Sequence, residues 1–138
     1  MEKWIQDALL NWQSHNVKLN SPATISEIEH TESVLNFAFP EDFKQLYLIV
    51  NGFKGLDWQE HMFTFWPLKM ILEEYDEKEE GFIGFSDFLL KSHSIGFNKE
   101  KAGVFRYYQS VKDQIPEYIA SSFQQALFLI NANSSLIY

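Results

Sequence analysis

Six carboxylates fall within eight residues, in the run Glu73-Glu74-Tyr75-Asp76-Glu77-Lys78-Glu79-Glu80. Acids at this density are ordinarily a solvated helix end. Here, however, they are expected at the C-terminal end of a helix, where their charge opposes the helix dipole. Local stability therefore gives no reason for them, and a basic partner does. Two tryptophans and a histidine, Trp58, Trp66 and His61, bracket the nearby loop. An exposed tryptophan would anchor an interface and a buried one would belong to the core. Trp66 reads as core, and Trp58 is open to either reading. Glu73, Glu74, Asp76, Glu77, Glu79, Glu80, Trp58 and His61 are thus the candidate partner-binding residues. Asp87 lies between Phe85 and Phe88. It is either a turn or capping aspartate or, if buried in that apolar setting, an acid with a raised pKa.

Motifs for covalent or metal chemistry are missing. His15, His30, His61 and His93 share no spacing that one helix or strand would turn into a metal pair. The serines lack a G-x-S-x-G elbow, and neither phosphate-binding glycine motif is present. There is no cysteine for a thiolate ligand or nucleophile. No catalytic residue, metal or cofactor is expected. A small-ligand enzyme built on Asp87 or a dispersed histidine has no motif behind it.

The net charge of −8 disfavours nucleic acid, whose phosphates require lysine and arginine, and favours a basic protein. Arg106 is the single arginine, which also argues against a phosphoryl site. No apolar run approaches the 18 or so residues of a membrane helix, and the N-terminal stretch lacks a signal-peptide core. A soluble, cytoplasmic protein without membrane contact is therefore expected. The 13 phenylalanines must mostly form core, since each buried aromatic removes about 150–250 Å² from water.

The elements that must position these residues can be read in chain order. Residues 2–15 predict a helix with Trp4, Ile5, Ala8, Leu9 and Trp12 on one face. Thr24-Ile25-Ser26-Glu27 fits a capping box for a helix over about 25–35, with Ile25, Ile28 and Leu35 inward. Pro40 opens a third helix, PEDFKQLYLIVNG, carrying Phe43, Leu46, Tyr47 and Val50 inward and stopped by Asn51-Gly52. Residues 62–66 predict a strand, and Pro67 opens a helix that runs into the acids. Strands are expected at 82–85, 94–97 and 104–108, the last two as an antiparallel hairpin. The segment 86–92 fits either strand or helix. Residues 109–117 predict a loop, and Ser121 or Ser122 caps a final helix. Helices, then strands, then a closing helix make one α+β domain.

Four blocks, taken in order, resemble the SUKH superfamily of cell-wall-assembly regulators and bacterial immunity proteins. They are the helix Thr24–Leu35; Phe39-Pro40-Glu41-Asp42-Phe43 leading to Val50-Asn51-Gly52; Ile83-Gly84-Phe85-Ser86-Asp87-Phe88 with Ile95-Gly96-Phe97; and Ser121-Ser122-Phe123. The resemblance implies a single domain over 1–138, with a variable N-terminal helix and connection (1–22) and a family-like core (23–138). Its fold would be helices packed around a central, mostly antiparallel β-sheet. It also implies a non-enzymatic protein-binding module, with an immunity protein neutralising a toxin, such as a nuclease, as the bacterial case. A regulatory domain with a non-toxin cellular partner is the alternative. The resemblance brings no catalytic residues.

Overall fold

Four of the described α-helices begin where a side-chain oxygen accepts a free N–H group. The computed structural model describes residues 1–138 except Leu56, Glu80 and Ser110. Helix α1 (Lys3–Ser14) buries Ile5, Ala8 and Trp12. Helix α2 (Ile25–Leu35) is closed by the expected capping box, with Glu27 N donating to Thr24 Oγ1 (3.0 Å) and Thr24 N to Glu27 Oε1 (2.9 Å). Its buried stripe is Ile28, Thr31 and Leu35. Ile25, expected inward, is 64% exposed. At 100° per residue it lies about a quarter turn off that stripe. Thr31 takes the inward place, its hydroxyl donating to Glu27 O at 2.8 Å.

Helix α3 (Glu41–Tyr47) starts after Pro40 and buries Phe43, Leu46 and Tyr47. It ends sooner than the sequence predicts. Ile49 N and Val50 N both return to Leu46 O, so the last turn tightens instead of continuing to Asn51. Strand β1 (Phe63–Phe65) and helix α4 (Leu68–Glu74) follow. Asn51, read as a stop signal, in fact serves α4: its Oδ1 accepts Leu68 N at 2.9 Å. Gly52 lets the chain pass against the next segment. It has φ +68°, and a Cβ there would stand 2.6 Å from both Pro67 N and Trp66 C.

The sheet continues with β2 (Phe82–Phe88), β3 (His93–Asn98), β4 (Val104–Tyr107) and β5 (Glu117–Ala120). All neighbours are antiparallel, and the spatial order is the chain order β1-β2-β3-β4-β5. The expected hairpin forms, pairing Ser94 with Tyr107, Ile95 with Arg106 and Gly96 with Phe105. The ambiguous segment 86–92 continues the strand to Phe88 and then turns through Leu89, Leu90 and Lys91, with φ of 48°, 54° and 71°. β5 was not expected. Pro116 argued for a loop, yet it stands just before the strand, where its missing N–H breaks no ladder bond.

Helix α5 (Phe123–Asn131) is capped by Ser122, whose side chain accepts Gln125 N, and a 3₁₀ turn spans Ser135–Ile137. Helices and sheet meet at Phe123. Its ring lies 5.1 Å from Phe43 of α3 and 5.0 Å from Phe85 of β2, both edge-on. Trp4 of α1, Phe65 and Phe97 also reach it. Phe82, Phe105 and Tyr107 form a second, small cluster.

Candidate functional site

The acidic run does not finish a helix as expected. α4 stops at Glu74, and Tyr75 is extended (ψ 128°). Asp76 then starts a turn, accepting Glu79 N at its carbonyl (3.0 Å) and Lys78 N at its side chain (2.9 Å). Only Glu73 and Glu74 therefore face the negative end of the α4 dipole, which lessens the repulsion inferred for a helix carrying all six acids. The carboxylates also part company. Glu79 Oε2 accepts the Tyr107 hydroxyl at 2.7 Å, while Glu74 pairs with Lys91. Asp76 and Glu77 are exposed. Glu80 lies outside the described residues.

Glu73 and Glu74 border a cleft of about 460 Å³ between α4, the loop before β1 and the turn after β2. Trp58, Met70 and Leu90 supply its apolar walls, with Thr64 and Asp87 at its base and Lys91 at its rim. Trp58, which the sequence left open, is 38% exposed, and Leu90 is 65% exposed. Trp66 is core, as expected, at 3%.

Asp87 is buried, and its role is to join elements. Trp66 Nε1–H donates to Oδ2 at 2.5 Å, and the Lys91 backbone N–H donates to Oδ1 at 2.9 Å. It thereby ties the buried indole to the turn that carries Leu90 and Lys91. The indole in turn lies over Gly84, where a Cβ would meet its ring at 2.8 Å.

His61 turns away to a different arrangement. Glu60 receives His15 Nε2 at 2.8 Å on one oxygen and His61 Nε2 at 3.2 Å on the other. His93 is buried, with Nε2 2.7 Å from Ile137 O. Burial holds its pKa below the usual histidine value. The Ile137 hydrogen bond opposes that shift, the charge of Arg106 adds to it, and Asp87 opposes it. Among the described residues no group of three or more His, Asp or Glu side chains is placed to hold a metal ion. No described helix is long and apolar enough to cross a membrane.

Of the residues singled out from the sequence, the fold brings Trp58, Glu73 and Glu74 into one cleft. It missed Met70, Leu90 and Lys91. The only local signal for the last two was a pair of leucines ahead of a lysine in a segment that fitted either strand or helix.

A larger groove of about 650 Å³ separates α1 from α5, lined by Trp4, Asn11, Gln124 and Phe128 among others. The family model for the SMI1 / KNR4 family (SUKH-1) matches residues 22–128. The chain belongs to this family. The SUKH-1 match covers more than half the chain and includes the whole of the smaller cleft. It leaves out α1, so one wall of the larger groove lies outside the family region. SUKH-1 proteins are protein-interaction and immunity-type domains, generally without enzymatic activity. A comparison with curated proteins finds no match.

Proposed function

We propose that this SUKH-1 domain binds and neutralises a basic protein, as an immunity protein neutralises a toxin domain such as a nuclease. The observation that carries the reading is the cleft in which exposed Trp58 and Leu90 stand beside Glu73 and Glu74. An aromatic anchor with an acidic border suits a partner that must itself be basic, because charge speeds encounter and the desolvated aromatic slows release. The net charge of −8 supports the same sign of partner. Asp76 and Glu77 extend the acidic field beyond the cleft. Glu79 and His61 contribute through the contacts that hold the surrounding segments. A cytoplasmic location belongs with this reading.

Co-expression with the product of the neighbouring open reading frame tests it. Growth should be restored by the full chain and lost again with Trp58→Ala combined with Glu73→Lys. A non-toxic neighbour, or killing that this chain does not relieve, would overturn the proposal. Recovery of a non-toxin cellular protein in a pull-down would replace it with the regulatory reading.

A further inference from the structure

The cleft at Trp58 combines apolar surface with acidic side chains, the two features a long side chain with a cationic end requires. Its walls are apolar (Trp58, Met70, Leu90), and its rim carries Glu73 and Glu74. Lysine and arginine combine an aliphatic stem that accepts apolar surroundings with a cationic head that requires a carboxylate. The chain already places one such cation there, since Lys91 Nζ pairs with Glu74. That pair is half open to solvent, with side-chain exposures of 48% and 33%. Pairs this exposed are worth little and are readily exchanged. The lining also holds more acids than bases, with Glu73, Glu74 and Asp87 against Lys91.

Lys91 is held at the rim by its backbone. Leu89, Leu90 and Lys91 are three successive non-glycine residues in the left-handed region, a conformation L-residues adopt at a cost. The turn is fixed by Lys91 N on Asp87 Oδ1 and by Ser92 N on Phe88 O at 2.8 Å. The Lys91 side chain can therefore leave Glu74 without the turn losing these hydrogen bonds.

We infer that the cleft takes one arginine side chain of the partner, its guanidinium replacing Lys91 on Glu74 and its stem lying between Trp58 and Leu90. Arginine suits the site better than lysine, because its planar head can meet the Glu74 carboxylate with two N–H groups at once. This inference rests on the reading of the chain as a binder of basic proteins, and it names the group recognised. Lys91 is then an internal competitor that the partner must displace.

The probe is the blocked tripeptide acetyl-Gly-Arg-Gly-amide, titrated into the ¹⁵N-labelled full chain. Saturable shifts are expected at the Trp58 indole and at the Leu90 and Lys91 amides, with none at the buried Trp12 indole. The citrulline tripeptide, which has nearly the same shape and no charge, should lose them. Glu74→Gln should weaken binding. Lys91→Ala should strengthen it about two- to five-fold, the size of an exposed ion pair. Both positions are on the surface, and unchanged amide spectra elsewhere confirm an intact fold. Absent shifts, equal shifts with citrulline, or no gain with Lys91→Ala would each overturn the assignment. If the titration fails while the chain still protects against its toxin, the cleft assignment alone falls. If the titration succeeds and no toxin is neutralised, the immunity reading falls and the arginine site stands.

Discussion

The Asp42 carboxylate accepts the backbone N–H of Gln124 at 2.9 Å, across 82 residues of chain. Its other oxygen accepts the Phe43 N–H of its own helix at 2.8 Å. One side chain near the start of α3 thus closes the first turn of α5 as well, beside the Ser122 cap on Gln125. Asp42→Ala should cost about 0.5–2 kcal/mol, the usual value of a lost helix cap. Asp42→Asn, which keeps an acceptor, should cost less. Urea melts of the two variants would check the order, and equal losses would refute the capping role.

Gly52 and Gly55 have similar left-handed backbones, with φ of +68° and +63°, in different surroundings. A Cβ at Gly55 meets nothing within 4 Å, whereas one at Gly52 meets Pro67 and Trp66 backbone at 2.6 Å. Gly55→Ala should cost only the left-handed penalty, about 1–2 kcal/mol. Gly52→Ala should cost clearly more in the same denaturant series. Equal losses would mean that the chain at Gly52 relaxes away from Trp66.

His93 should make the fold acid-sensitive. Burial, the largest influence, holds its pKa below the ordinary histidine value. The unfolded chain therefore takes up this proton at a higher pH than the folded one does. The stabilisation from His93 is complete above about pH 6.5 and is lost as the pH falls below that, toward the lower folded value. Melting temperatures recorded from pH 8 downward should fall in that window, and His93→Gln should flatten the dependence there. An unchanged slope in the variant would assign the acid sensitivity to other groups.

Within the acidic run, position decides which acids the fold needs. Glu79→Ala removes the 2.7 Å hydrogen bond from the Tyr107 hydroxyl and should cost about 0.5–1.5 kcal/mol. Glu73→Gln with Glu77→Gln should stay within about 0.5 kcal/mol, as exposed substitutions do. The same double variant should slow association with a basic partner at low salt. Thermal melts and stopped-flow binding separate the two effects. A stable Glu79 variant would show that Tyr107 finds another acceptor.

Much of the fold could be read from the sequence wherever a signal is local. The Thr24–Glu27 box, Pro67 before α4, the Ile95/Phe97 strand and the Ser122 cap each act within a few residues of themselves. Asn51 shows where that reading stops. Its residue type announced a helix end, but the helix it serves begins 17 residues later. Ile25 was misplaced because Thr31, a polar residue with its hydroxyl satisfied inside the helix, took the inward position. The acids were assigned to one helix because nothing in the sequence marks the extended conformation of Tyr75. The cleft was the least accessible, because Trp58, Met70 to Glu74 and Asp87 to Lys91 come from three separate segments that only the tertiary fold brings together.

A sheet whose spatial order repeats its chain order has a kinetic consequence. The β2–β3 and β3–β4 pairings each close a short loop, so they cost little chain entropy. The helical layer is closed over far greater distances, by Asp42 on Gln124 and by Trp12 Nε1 on Asn131 Oδ1, 119 residues apart. Low separation favours early formation, so the strand meander is expected to form before α1 docks on α5. It follows that α1 is more easily released than the meander, and its amides should lose hydrogen-exchange protection before those of β3.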